Sequence, residues 1–120
     1  MIKSKPKYLF VGLGTMGYQI AGHLSKMNNI DLFIFNRSAN ISKKWLSNYK
    51  GQEFVRDQLS ATKFNGVILC LKDDSSILNV LIKKKFIEFI KPNGFVLDHS
   101  TTSLKLIKKV TSNKFYISNN

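Results

Sequence analysis

Six residues near the amino end have the types and spacing to cradle a phosphate. Gly12, Leu13, Gly14, Thr15, Met16 and Gly17 form a G-x-G-x-x-G. The first glycine permits a tight turn out of a strand. The second leaves no Cβ between the backbone and a pyrophosphate, and the third lets the next helix pack close to the sheet. The N–H groups and positive end of that helix then meet the anion. The bare pattern is weak, and its surroundings give it weight. Tyr8-Leu9-Phe10-Val11 precedes it as an apolar strand, and Ile20, Ala21, Leu24 and Met27 follow at helical spacing. The plain alternative is an ordinary glycine-rich connection, which this strand-before, helix-after context disfavours.

The second place with chemistry is the end of the next apolar run, Ile30 to Phe35, where Asn36-Arg37-Ser38 follows. Dinucleotide sites that prefer NAD usually carry Asp or Glu there to accept from the ribose 2′-OH. A carboxylate repels a 2′-phosphate, which a nearby Arg accommodates. Asn36 is neutral and can donate a bond, Arg37 offers a planar charged fork, and Ser38 offers a hydroxyl. This pattern favours NADP over NAD. The plain alternative is a turn in which Asn and Ser bond their own backbone while Arg37 is merely solvated.

These residues need a scaffold, and composition bounds it. A chain of 120 residues makes one domain of ordinary size, and 43% hydrophobic content supplies a core. The single cysteine, Cys70, excludes an intramolecular disulfide and lies in an apolar run as a small hydrophobe. A reducing compartment agrees with this. Lys3, Lys5 and Lys7 imitate the start of a signal peptide, but the apolar part is short and lacks a small-residue cleavage site. No run approaches a membrane span. The expectation is a cytoplasmic protein with no membrane partner.

The formal net charge of +12 raises the question of nucleic acid. The cations are nearly all lysines, with Arg37 and Arg56 alone offering forks for bases and phosphates. They are scattered over several expected helices, and the triple Lys83-Lys84-Lys85 suits a solvated helix face. Specific nucleic-acid binding is therefore not expected. No Cys/His cluster suggests a metal.

The elements alternate. A strand over about Lys7–Gly12 leads into a helix over about Thr15–Met27, then a strand over Ile30–Phe35. A short helix near Ile41–Tyr49 follows, closed by Gly51, then a brief strand over Gln52–Val55. Asp57–Phe64 reads as a weak helix or turn, and Val67–Leu71 as a buried parallel strand. Asp73, Asp74, Ser75 and Ser76 suit the start of a helix over about Ser76–Ile90. Pro92-Asn93-Gly94 reads as a turn, Phe95–Asp98 as a fifth strand, and Thr102 or Ser103 as the cap of a helix to about Val110. Phe115–Ile117 begins a sixth strand. The fold class is α/β: a Rossmann doubly wound parallel sheet, helices on both faces, expected order 3-2-1-4-5-6.

With these blocks in place, the sequence resembles the β-hydroxyacid dehydrogenase family. That family includes 3-hydroxyisobutyrate dehydrogenases, glyoxylate/succinic semialdehyde reductases and relatives of the 6-phosphogluconate dehydrogenases. The resemblance covers the whole chain and rests on Phe10–Gly17, Phe35–Ser38, Leu71–Asp74 and Asp98–Thr101. It implies that Leu71 and Lys72 form a loop beside the cofactor ribose and that Thr101 contacts the cofactor near the nicotinamide. Capping of a helix is the plain role for Ser100, Thr101 and Thr102. Two departures are Lys72 and Leu104, where the family often has Pro.

The resemblance further implies a hydride transfer between NADP(H) and a small hydroxyacid or semialdehyde, with a catalytic Lys from a following helical domain. Phe115–Asn120 stops about where the substrate loop is expected, so the chain reads as the NADP-binding domain without that helical part. No catalytic residue is assigned within it. His23 sits in the first helix as a surface or core residue. His99 is a weak candidate for proton transfer at the end of the fifth strand. Asp98, His99 and Ser100 cannot form a triad as sequence neighbours. Two hypotheses stay open. One is the cofactor domain of a reductase, without turnover by itself. The other is a non-catalytic NADP-binding or partner-docking module left by truncation. Either way, an exposed apolar edge near the sixth strand is expected to invite association.

Overall fold

The computed structural model describes residues 5–55, 63–71, 86–98 and 115–118. Six strands form one sheet: β1 (Lys7–Val11), β2 (Asp31–Phe35), β3 (Gln52–Glu53), β4 (Phe64–Leu69), β5 (Ile90–Asp98) and β6 (Phe115–Ser118). Their order is β3-β2-β1-β4-β5-β6, and every pairing is parallel. The expected fold class and strand order are both present. The chain runs outward from β1 to β3 on one side, then returns to place β4 on the other side of β1. That reversal opens the crevice at the carboxyl ends of β1 and β4.

The apolar runs in β1, β2 and β4 are continuous because both faces of the sheet are covered. Successive side chains alternate between two cores. Phe10, Leu32, Ile34 and Ile68 face one core together with Leu13, Ala21 and Trp45. Leu9, Val11, Phe33, Val67 and Leu69 face the other, with Phe54, Phe64, Phe89, Ile90 and Val96. Helices α1 (Thr15–Ser25) and α2 (Ala39–Asn48) cover the first face through Ala21 and Trp45. Trp45 is completely buried, and its indole N–H donates to the Tyr18 carbonyl at 3.2 Å, fastening α2 to α1. On the second face Phe54 packs edge-on against Phe64 and Phe89, at 5.4 and 5.1 Å between ring centres.

Four expectations change. Pro92-Asn93-Gly94 does not end an element; it lies inside β5. Between the pairs Phe64–Ile90 and Gly66–Phe95, β4 advances two residues while β5 advances five. The turn chemistry is spent on a bulge that bows out of an otherwise regular ladder, where a proline without an N–H is tolerated. Gly51 does not close α2 through a left-handed conformation, since Gly12 is the positive-φ glycine among the described residues. Gly51 is needed for space: a Cβ there would stand 2.9 Å from Trp45 Cζ3. Finally, β4 begins at Phe64, and Phe86–Phe89 is a 3-10 turn rather than the end of an α-helix. The rest of the helix expected over Ser76–Ile90 lies outside the described residues. So do the helix expected up to Val110 and residues 57–62 of the segment expected as a weak helix or turn.

Candidate functional site

Gly12 stands where β1 ends, between the ends of β2 and β4. Its N–H donates to the Phe35 carbonyl at 3.0 Å, and the Cys70 N–H donates to the Val11 carbonyl at 2.8 Å. Its φ of +103° is a conformation that L side chains rarely adopt. A Cβ on Gly12 would overlap the Cys70 carbonyl oxygen and stand 3.1 Å from Leu71 Cδ2. The first glycine is thus required twice, by conformation and by the closeness of β4.

Gly14, by contrast, stands open: among the described residues, its chain neighbours aside, no heavy atom lies within 4 Å of the Cβ it lacks. It holds the cap position of α1 in extended conformation, without a side-chain cap bond. Its carbonyl accepts from the Tyr18 N–H at 2.8 Å, the first bond of the helix. The N–H groups of the first turn have no partner within the helix, and that turn carries no acidic residue. Gly14, Thr15 and Met16 are exposed, Met16 to 64%. The open side of the turn therefore offers backbone donors and the positive end of a helix to an anion. The sequence pattern called for this geometry.

The end of β2 is tied to this turn by a side chain. Leu13 N–H donates to Asn36 Oδ1 at 2.8 Å, and Asn36 Nδ2 donates to the Ser38 carbonyl at 3.3 Å. The local backbone bonding of the plain alternative is thus present at Asn36. It does not hold for Ser38, which caps α2 in extended conformation without a bond from its hydroxyl. Arg37 and Ser38 are both exposed. Among the described residues no hydrogen bond or ion pair holds the Arg37 guanidinium.

The half-buried Leu71 packs at the edge of the second core, beside Gly12. Lys72, Thr101, His99 and Ser100 lie outside the described residues. His23 is exposed on α1, about 12 Å along the helix axis from Thr15 at 1.5 Å per residue, so the fold does not bring it to the glycine turn. It lines a groove of about 380 Å³ with Tyr18, Gln19, Lys26 and Tyr49. Cys70 has a larger part than its sequence suggests. Its carbonyl walls Gly12, and its Cβ lies 3.2 Å from where a Cβ on Gly17 would stand. The available signal was its place just after β4, the strand expected beside β1. Among the described residues no group of three or more His, Cys, Asp or Glu is placed to hold a metal. No described helix is long and apolar enough to cross a membrane.

Known proteins share this fold. The family described as the NAD binding domain of 6-phosphogluconate dehydrogenase matches residues 7–114. An uncharacterized oxidoreductase of Shewanella frigidimarina is 25% identical over 107 residues, which are 88% of this chain and 36% of that protein. Mycobacterium tuberculosis 3-hydroxyisobutyrate dehydrogenase, solved with L-serine, superposes with a TM-score of 0.79 at 15% identity, over 96% of this chain and 40% of that one. A reductive aminase from Aspergillus terreus, solved with NADPH and ethyl-5-oxohexanoate, superposes with a TM-score of 0.64 at 15% identity, over 96% of this chain and 39% of that one. At these identities the solved structures share the fold. The chain spans 36–40% of the length of these three proteins.

Proposed function

The chain belongs to the β-hydroxyacid dehydrogenase family, with the 6-phosphogluconate dehydrogenase type of NAD-binding domain, and from that premise we propose that it holds NADP(H) for hydride transfer with a small 3-hydroxyacid or semialdehyde. When bound, the nicotinamide carries the hydride, and the protein binds and orients it. The turn Gly12–Gly17 takes the pyrophosphate on backbone N–H groups. Arg37 and Ser38 take the 2′-phosphate, and Leu71, Lys72 and Thr101 line the ribose and nicotinamide side. The reaction also needs a proton donor or acceptor. A lysine on a helical domain, supplied by further chain or by a partner, fills that role; His23 is too far along α1 to do so. The single cysteine agrees with work in the reducing cytoplasm.

One observation carries the choice of NADP. Where NAD sites usually carry a carboxylate, this chain has an amide engaged by Leu13 and Ser38. Beside it stands an exposed Arg37 with no described partner. Titration with NADPH and NADH tests this. NADPH is expected to bind at least about tenfold tighter, the scale of one charge-assisted contact. Equal affinities would defeat the assignment.

A second reading is a module that binds NADP without turnover. Assays with glyoxylate and succinic semialdehyde, run with the helical partner added, separate the two. Turnover by the 120-residue chain alone would contradict the need for a separate lysine.

A further inference from the structure

Two ties join the glycine turn to the end of β2. Gly12 N–H to the Phe35 carbonyl is backbone to backbone, at 3.0 Å. Leu13 N–H to Asn36 Oδ1 depends on a side chain, at 2.8 Å. Substitution can remove the second and leave the first.

The surroundings fix which way the Asn36 amide faces. Rotating it by half a turn would set its NH2 against the Leu13 N–H and its oxygen against the Ser38 carbonyl. Both contacts are repulsive, so the bonded orientation is assigned by its partners. The oxygen faces the pyrophosphate turn and the NH2 faces the segment that carries Arg37. One NH2 hydrogen meets the Ser38 carbonyl, which also accepts from the Ile41 and Ser42 N–H groups at 3.2 and 3.3 Å. That carbonyl belongs to the first turn of α2. The amide therefore spans from the start of α1 to the start of α2. Leu13 itself is buried, so its N–H has little access to water as a substitute acceptor.

We propose that Asn36 is a positioning residue that locks the pyrophosphate turn to the Arg37–Ser38 segment, so that one amide sets both ends of the coenzyme site. The proposal rests on the NADP reading above, and it assigns Asn36 a task different from direct contact with the nucleotide. Asp at this position would keep an oxygen for Leu13. It would lose the donor to Ser38 and place a negative charge beside the 2′-phosphate. Ala would lose both ties.

The test uses the 120-residue chain and the variants Asn36→Ala, Asn36→Asp and Arg37→Ala. Two readouts are taken: hydrogen-exchange protection of the Leu13 amide by NMR, and dissociation constants for NADPH and NADH. In Asn36→Ala, Leu13 protection is expected to fall about tenfold or more, and both nucleotides to weaken about tenfold. Asn36→Asp is expected to restore Leu13 protection and NADH binding while NADPH stays weak. Arg37→Ala is expected to keep Leu13 protection and NADH binding and to weaken NADPH alone. The proposal is overturned if Asn36→Ala leaves Leu13 protected, or if it weakens only NADPH as Arg37→Ala does. Should Asn36→Ala fail to fold, Asn36→Asp decides: an unprotected Leu13 there overturns the lock. Wild-type protein that binds neither nucleotide ends the NADP reading, while the Leu13 amide still upholds or overturns the tie.

Discussion

The backbone of Gly17 lies directly against the carbonyl of Gly12. A methyl group on Gly17 would overlap the Gly12 oxygen and stand 3.2 Å from its carbon. The last glycine of the motif therefore works on the fold, whereas Gly14 has open space around it among the described residues and is free for the proposed role at the ligand. Gly17→Ala is expected to destabilise the domain by about 1–3 kcal/mol, as overpacking against backbone does. Gly14→Ala is expected to change stability by less than about 1 kcal/mol, the scale of an exposed cap, yet to weaken NADPH and NADH alike. Thermal melts beside nucleotide titrations separate the two effects. Equal losses of stability would remove the distinction.

Arg37 is exposed and has no described partner, so the contact proposed for it with a 2′-phosphate is expected to be sensitive to salt. Raising ionic strength from about 0.01 to 0.15 M shortens the screening length from about 30 to 8 Å. NADPH affinity should fall more steeply than NADH affinity over that range. In Arg37→Ala the two slopes should become alike. Arg37→Lys keeps the charge and loses the planar fork, so it should recover only part of the NADPH affinity. Parallel slopes in the wild type would argue that Arg37 takes no part.

Ser42 is fully buried in α2, and its hydroxyl has no hydrogen-bond partner among the described residues. An unsatisfied buried hydroxyl costs about 1–3 kcal/mol, and Ala is the better helix former. Ser42→Ala is expected to stabilise the domain by about 1 kcal/mol. The melting temperature should rise by about 3–5 °C, with nucleotide affinity unchanged. A lower melting temperature would reveal a partner for that hydroxyl.

Much of the fold was legible because its signals are local. The glycine turn, the apolar runs of β1, β2 and β4 and the helical spacing of α1 each sit within a dozen residues. The alternation of strand and helix then restricts the sheet order. What escaped depends on neighbours distant in sequence. Pro92-Asn93-Gly94 has the composition of a turn, and only its pairing with β4 turns it into a bulge. Gly51 looks like a helix terminator, and only the position of the Trp45 ring shows that it makes room. At the site, Asn36 was legible as the residue at the end of β2. The engagement of its oxygen by Leu13, 23 positions away, was not. Arg37 was legible as the cation next to Asn36, and among the described residues no hydrogen bond or ion pair holds it.

The Gly51–Trp45 contact yields a prediction that tests spatial need against turn conformation. A Cβ on Gly51 would stand 2.9 and 3.0 Å from Trp45 Cζ3 and Cη2, and 3.3 Å from the Leu32 carbonyl. Gly51→Ala is therefore expected to cost about 1–3 kcal/mol. If the indole is the obstacle, a smaller ring should relieve most of that cost. Trp45→Phe alone should also destabilise, since it leaves a cavity and removes the bond to Tyr18. The double variant should then be more stable than the sum of the two single losses requires, with a coupling of about 1 kcal/mol or more. Trp45 is the single tryptophan of the chain, so unfolding is best followed by circular dichroism in all four proteins. Strict additivity would mean that the Leu32 carbonyl or the backbone at Gly51, rather than the ring, sets the need for glycine.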